Sequence, residues 1–195
     1  MPKKEVPIDH LQNYLPPDTG DAVMAYLHQF KVHLTIAKER KSILGDYRHR
    51  THHSNHRISV NGNLNKFSFL ITLLHELAHL LTHEQYGHRI APHGNEWKKI
   101  YSGLLADYLP TNIFPDDVKK ELHHSLQKPG ASSCSETNLI RVLRKYDSNR
   151  NNEWVHIEEL SEGTLFEMHN GKNFIKGEKL RKRFMCTEQG TGLKY

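Results

Sequence analysis

What the sequence lacks narrows it first. It has two cysteines in 195 residues, Cys134 and Cys186, too few for a disulfide framework or a four-thiolate zinc site. No run of about 18 apolar residues occurs, so no membrane-spanning helix is expected. The opening stretch MPKKEVPIDHLQNYLPP has lysines but no apolar segment after them, and does not read as a signal peptide. The expectation is a cytoplasmic protein with reduced thiols and no membrane contact. Mean hydropathy is −0.70, yet a 36% hydrophobic share is enough for one core. No repeat of solenoid length is present.

Two things are abundant. The chain has 16 histidines, which suit metal chemistry and also raise the chance of accidental motifs. The formal net charge is +5. A basic excess suits an acidic partner such as nucleic acid, and equally suits a protein that is merely soluble.

Periodicity divides the chain. Residues 1–17 read as an irregular lead-in, with Asp18 and Thr19 placed to cap a helix carrying Val23, Tyr26, Leu27 and Phe30. Val32, Leu34 and Ile36 alternate with polar residues, as do residues 57–61, so both segments read as strands. The polar stretch between Lys38 and His56 reads as a loop or irregular hairpin. Helices are expected over 66–83, over 95–108 with Pro110 as the stop, and from Pro115 to about Gln127. The segment KPGASSCSET has linker composition. Beyond it, short apolar clusters and the Asn170-Gly171 turn signal point to strands. The expected plan is α+β: a core domain over 18–128, a linker over 129–137 and a β-rich appendage over 138–195.

The helix at 66–83 holds the chemistry. His75-Glu76-Leu77-Ala78-His79 fits H-E-x-x-H, in which histidines one turn apart reach one ion and the glutamate stands beside its water. So many histidines make roughly 0.1 chance matches expected, so the context must support the motif. It does: Thr72, His75, Glu76, His79, Thr82 and His83 share a stripe about 120° wide, and the rest of the circumference is apolar. Two histidines and a glutamate buried without partners would cost several kcal/mol, an objection that a bound cation removes. The simpler reading is a solvent-facing polar edge; motif and periodicity together weigh against it. The third ligand must come from further along. His83 lies about 12 Å along the axis from His75, too far to share the ion easily. His93, before Gly94 and the next helix, ranks first, His88 second and Glu96 third.

These residues and their surroundings resemble the SprT family of metalloproteases, which includes the eukaryotic protein Spartan. The matching stretches are His33-Leu-Thr-Ile36, Leu44-Gly-Asp-Tyr47, His56-Arg-Ile-Ser-Val-Asn-Gly-Asn-Leu64, Leu73-Leu-His-Glu-Leu-Ala-His-Leu80 and Pro92-His-Gly-Asn-Glu-Trp-Lys98, together covering roughly residues 20–110. The resemblance implies a zincin-like core, Zn2+ held by His75, His79 and His93, Glu76 as the catalytic base and a protein or peptide substrate. It also implies a zinc ribbon after the core. The chain departs there, because residues 138–195 hold one cysteine, so the appendage is expected to be ribbon-like without a second zinc.

Three smaller expectations follow. His83, Tyr47, Tyr86 and His88 are candidate donors to an oxyanion, although each reads more simply as a rim or packing residue. The strand at 57–61 or the one at 32–36 is a candidate edge for an added substrate strand. Lys176, Lys179, Arg181, Lys182 and Arg183, interleaved with Phe174 and Phe184, suit a groove for single-stranded nucleic acid, with Arg141, Arg144 and Lys145 on neighbouring strands. They equally suit solvated strand edges; the family resemblance tips the reading towards proteins attached to DNA. Two rival readings remain: a nucleic-acid-binding accessory protein with a structural or vestigial zinc site, and a zinc hydrolase of a non-peptide substrate.

Overall fold

In a computed structural model, the chain is described over residues 8–40, 42–127, 137–147, 155, 157–181 and 183–195. The linker residues 129–136, Cys134 and Lys182 lie outside the described residues. The chain forms two compact units, Met1–Arg150 and Asn151–Tyr195.

The first unit is α+β. A short 3-10 helix over Ile8–Asn13 leads to helix α1 (Gly20–Gln29), which buries Val23 and Leu27. Thr19 occupies the position before this helix as expected, but it does not cap it. Its hydroxyl donates to the Pro16 carbonyl at 2.8 Å, and its backbone is helical rather than extended. The preceding Asp18 has a positive φ of 63°.

Strands β1 (His33–Ala37), β2 (Gly45–Arg48) and β3 (Arg57–Asn61) form a sheet in the order β1-β3-β2. β3 pairs with β1 in parallel and with β2 antiparallel. The polar stretch expected as a loop or irregular hairpin contains strand β2, which pairs antiparallel with β3 as a hairpin arm. One expectation is corrected. The segment 57–61 is the central strand, paired on both sides, so it is no edge; the edges are β1 and β2. The Asn61 amide donates to the Leu44 carbonyl at 2.9 Å. Pairs alternate along an antiparallel ladder, so Asp46 and Arg48 continue this inward set. Gly45 and Tyr47 therefore turn their backbone N–H and C=O towards the free edge.

Helix α2 (Lys66–Tyr86) packs against β2 and β3. Phe69, Leu70, Ile71, Leu73, Leu74, Leu77, Ala78 and Leu80 are fully buried, so nearly its whole circumference lies in the core. Asn65 caps it by accepting from the Ser68 amide at 2.9 Å. The Asn65 side-chain amide also donates to the Leu143 carbonyl and to Asp147. Gly87 ends the helix with a φ of 75°, a conformation open to glycine. Helices α3 (Asn95–Tyr108) and α4 (Asp116–Gln127) follow as their periodicity predicts.

Helix α5 (Thr137–Arg144) is a second correction. The β-rich region was expected from residue 138, yet this segment is helical and belongs to the first unit. Leu139 and Leu143, one turn apart, are buried in the main core, and the helix packs on α4. Arg141, Arg144 and Lys145 therefore do not lie on strands.

The second unit is an antiparallel meander of β4 (Leu165–Glu167), β5 (Asn173–Lys179) and β6 (Phe184–Glu188). The Asn170-Gly171 signal forms the β4–β5 turn, with Gly171 at a φ of 78°.

Asn65 joins a helix cap to the α5 end of the core. Replacing it with Ala removes the cap and the side-chain donor to Asp147 and to the Leu143 carbonyl, which keeps only the Tyr146 amide at 3.0 Å. A loss of about 2 kcal/mol is expected in urea unfolding; wild-type stability in Asn65→Ala would show that these bonds contribute nothing net.

Candidate metal centre

Helix α2 sets the first two groups. His75 and His79 are one turn apart, with ring centroids 5.0 Å from each other. The third arrives from the α2–α3 connection, where the Gly94 amide bonds back to the Ala91 carbonyl at 2.9 Å and tightens the turn. His93 sits in this turn with a φ of 59°. A non-glycine residue held there is strained, a state that folds tolerate where a site requires it.

The three rings converge. His79 Nε2 lies 3.0 Å from His93 Nε2, which lies 3.2 Å from His75 Nε2. One ligand atom from each of these three residues lies within 4.8 Å of the others, so as they stand they could hold a metal ion. Hydrogen bonding alone does not account for the arrangement. A ring nitrogen either carries one proton or offers one in-plane lone pair, so His93 Nε2 cannot serve both neighbours well. Four-coordinate zinc with nitrogen ligands at about 2.0–2.1 Å places the nitrogens roughly 3.3–3.4 Å apart. The observed spacing is close to that, and the donor set fits a first-row divalent cation.

The electrostatics agree. Burial, then the neighbouring His79 and His93, lower the His75 pKa to about 3. Burial, then His93, lowers that of His79 to about 4. His93 is also lowered, by burial first and by Lys98 second. Neutral imidazoles present lone pairs, which is the form a metal needs.

Trp97 organises the rings. It is 1% exposed, and its ring lies 4.7 Å from His75, 5.3 Å from His79 and 4.6 Å from His93. Tyr101 stacks on Trp97 at 4.8 Å. The sequence singled out Trp97 as part of a signature without assigning it this task. Nothing in its spacing reveals a packing partner on a distant helix.

Glu76 is 5% exposed and lies against β2. A Cβ on Gly45 would stand 2.5 Å from Glu76 Oε1 and 2.8 Å from Thr72 Cγ2, so only glycine lets the strand approach the carboxyl so closely. Arg40 holds the approach to the strand in place, bonding to Asn61 Oδ1 at 2.7 Å and Ser59 Oγ at 2.9 Å. Burial, then Asp46, raises the Glu76 pKa to about 8, with Arg40 acting the other way. Among the described residues no hydrogen bond or ion pair engages this carboxyl.

The other candidates stand apart. His88 is exposed and its ring lies near His83, outside the triad. Glu96 belongs to α3 and is not among the three converging groups. The Tyr47 ring lies parallel to that of His79 at 6.5 Å, but its hydroxyl is 2.9 Å from His56 Nδ1. That hydrogen bond, whose direction depends on the His56 tautomer, already engages the Tyr47 hydroxyl. Tyr86 is 41% exposed.

The basic-aromatic set in the second unit changes character. Lys176 is buried; its ammonium donates to the Leu160 carbonyl and lies 4.2 Å from the Phe184 ring centroid. Phe174 is buried between Phe166 and Tyr195. Phe174 is therefore no open stacking platform, while Phe184 is half-buried with the Lys176 and Lys179 ammoniums 4.2 and 5.7 Å from its ring centroid. Lys179, Arg181 and Arg183 are exposed.

Comparison with known proteins points one way. The model of the SprT-like family matches residues 19–113. The protein named SprT from one strain of Pseudomonas fluorescens is 52% identical over 82 residues, covering 38% of this chain and 49% of the relative. SprT from another strain of that species is 52% identical over 49 residues, covering 25% and 29%. SprT from Vibrio atlanticus is 65% identical over 26 residues, covering 13% and 15%. The chain thus spans less than half the length of each of these relatives. No solved structure matches it.

The titrations predict a stability maximum near pH 6.5 for the protein kept metal-free with chelator. His75 and His79, depressed from 6.5, make the unfolded chain the better proton acceptor below that pH, so stability falls towards about 4 and then 3. Glu76, raised from 4.5, gives stability that is full below 4.5 and lost as pH climbs through about 8. Between 4.5 and 6.5 the two imidazoles outweigh the one carboxyl. Thermal melts of the chelated protein that show no such maximum would contradict the burial of these groups.

Proposed function

We propose that this chain, which belongs to the SprT-like family through residues 19–113, is a zinc-dependent endopeptidase with a zincin-type active site. The observation that carries this reading is the convergence of three imidazole nitrogens, two of them from the helix that also carries Glu76, a buried carboxyl without a partner among the described residues.

His75, His79 and His93 would hold the ion. Bound zinc supplies a Lewis acid and lowers the pKa of water towards neutrality. Glu76 takes the proton from the attacking water and later hands it to the leaving amine. Its position against Gly45 fixes where that proton is collected. Burial raises its pKa, and the positive charge that three imidazoles recruit opposes that shift, so the group works near neutral pH. The free edge of β2 supports a peptide substrate. Gly45 and Tyr47 offer outward N–H and C=O groups beside Glu76, where an extended chain can add as a strand. An open strand edge suits a peptide better than a small molecule.

The accessory-protein alternative is weaker because of Glu76. A structural zinc site needs no base, and an unpartnered buried carboxyl costs free energy. We extend the proposal to protein substrates bound to DNA. Its support is the net charge of +5 and the exposed Lys179, Arg181 and Arg183.

In Glu76→Gln, zinc content should equal that of wild type, while cleavage of a DNA-bound protein falls by about 10²–10⁴-fold. Undiminished cleavage by the variant would remove Glu76 from the mechanism. Cleavage by neither protein, with DNA binding intact, would favour the accessory reading. For the DNA component, the charge-reversed combination K179E, R181E and R183E should weaken DNA binding and reduce the salt slope by up to about 3. Binding equal to wild type at every salt concentration would end that part of the proposal.

A further inference from the structure

We infer that the surface beyond the histidine triad, a rim formed by the ends of β2 and α2, carries a second, weaker zinc site formed by His49, His83 and His88. The three come together from two elements. His49 is the first residue beyond β2, His83 lies in the last turn of α2, and His88 follows the Gly87 turn that ends that helix. The His49 and His83 ring centroids are 5.0 Å apart, and those of His83 and His88 are 5.8 Å apart. The pairs of the primary triad are 4.6, 5.0 and 5.1 Å apart. The His49 and His83 rings lie at 22° to each other and those of His83 and His88 at 32°, so the side chains must turn before their nitrogens meet at one cation.

The rim rings are available for ligation. Among the described residues, no hydrogen bond engages the ring nitrogens of His49, His83 or His88. His49 and His88 are exposed and His83 half-buried, so their side chains can turn to present nitrogen to one cation. Burial, then His49, keeps His83 below the ordinary histidine value, with His56 and His88 adding to this and Glu84 opposing it. The Glu84 carboxylate contributes negative charge nearby, partly spent on Arg50 at 3.3 Å. The ligand class is a borderline-soft divalent ion that accepts imidazole, zinc above all. Binding is weaker than at the triad because no Trp97-like residue packs the rim rings into place.

The location gives the site a consequence, and this part alone rests on the proposed protease reading. His83 is one turn beyond His79, roughly 6 Å along the helix. The Tyr47 ring is 6.5 Å from both His79 and His83. A cation at the rim therefore sits where β2 ends, in the path of a peptide laid along its free edge. Occupation obstructs that path, so excess zinc inhibits.

The test is a zinc titration of the full chain against a competing chelator, with metal content measured. Wild type should take up two equivalents, the second more weakly. His83→Ala should keep the first and lose the second, and H49Q or H88Q should weaken the second by about tenfold or more. The retained first equivalent reports that each variant is folded. A control, H123Q with H124Q, should behave as wild type. Uptake of one equivalent by wild type in excess zinc, or an undiminished second equivalent in His83→Ala, overturns the site. Where peptide cleavage is measurable, His83→Ala should resist excess zinc; equal inhibition of variant and wild type overturns the obstruction. Absence of any cleavage counts against the protease reading and leaves the stoichiometry to decide the site.

Discussion

Three imidazole nitrogens pointing at one spot inside a protein constrain everything around them. They cannot satisfy one another by hydrogen bonds, and one of them, His75, is buried away from water while His79 and His93 are half-buried. Without a cation the arrangement is unfavourable, so the surrounding fold must be stable enough to impose it. Helix α2 does this by burying apolar side chains around nearly its whole circumference. A helix with one exposed face could rotate to bring its histidines into solvent. This one cannot, because any rotation would expose leucines.

The same constraint explains the strained and close-packed features. His93 accepts a positive φ because the turn through Gly94 leads directly into α3, whose first turns carry Trp97. Trp97 touches all three rings, so the third ligand and the residue that orients the set come from the same short stretch. On the opposite side, Gly45 lets β2 press against Glu76, and Arg40 with Asn61 fixes the loop that delivers the strand. His75, Glu76 and His79 thus belong to one helix, His93 joins them from the turn that follows it, and the group is held from two directions, by α3 and by β2. The site is pre-organised by packing rather than by polar contacts to the base itself.

How much of this was legible depended on the range of the interactions. Helices α2, α3 and α4 follow from local periodicity and from helix-ending residues such as Gly87 and Pro110, so their positions could be read directly. The ligand triad was legible because H-E-x-x-H encodes helix geometry and the residues around His93 encode a chain reversal. Strand β2 was not: Gly-Asp-Tyr-Arg has little strand signal of its own and becomes a strand by pairing with β3. Helix α5 was misread because Ile140 and Val142 alternate like strand residues, while the decisive contacts of Leu139 and Leu143 lie far away in sequence. Phe174 and Lys176 were misplaced for a related reason. Alternation says that two faces differ, not which face the rest of a small unit covers.

The second unit shows how such a short segment holds together with one lone cysteine. Cys186 is buried and behaves as a small apolar residue. A small domain buries a smaller share of its surface, and Leu165, Ile175, Leu180 and Leu193 stay exposed. Charged groups therefore join Phe174 and Cys186 in the interior. Glu188, 6% exposed, accepts from Thr191 at 2.8 Å and Tyr195 at 3.1 Å and pairs with Lys172 at 2.7 Å. Lys176 crosses to the Leu160 carbonyl and lies over Phe184. A buried charge is costly alone and tolerable when every partner is present. Each of these contacts spans different parts of the unit, so satisfying the charges and closing the fold are the same event. The lysine that composition suggested for a nucleic-acid surface thus works as a fastener. Lys179, Arg181 and Arg183 reach solvent instead, because the β5–β6 turn carries them away from that interior.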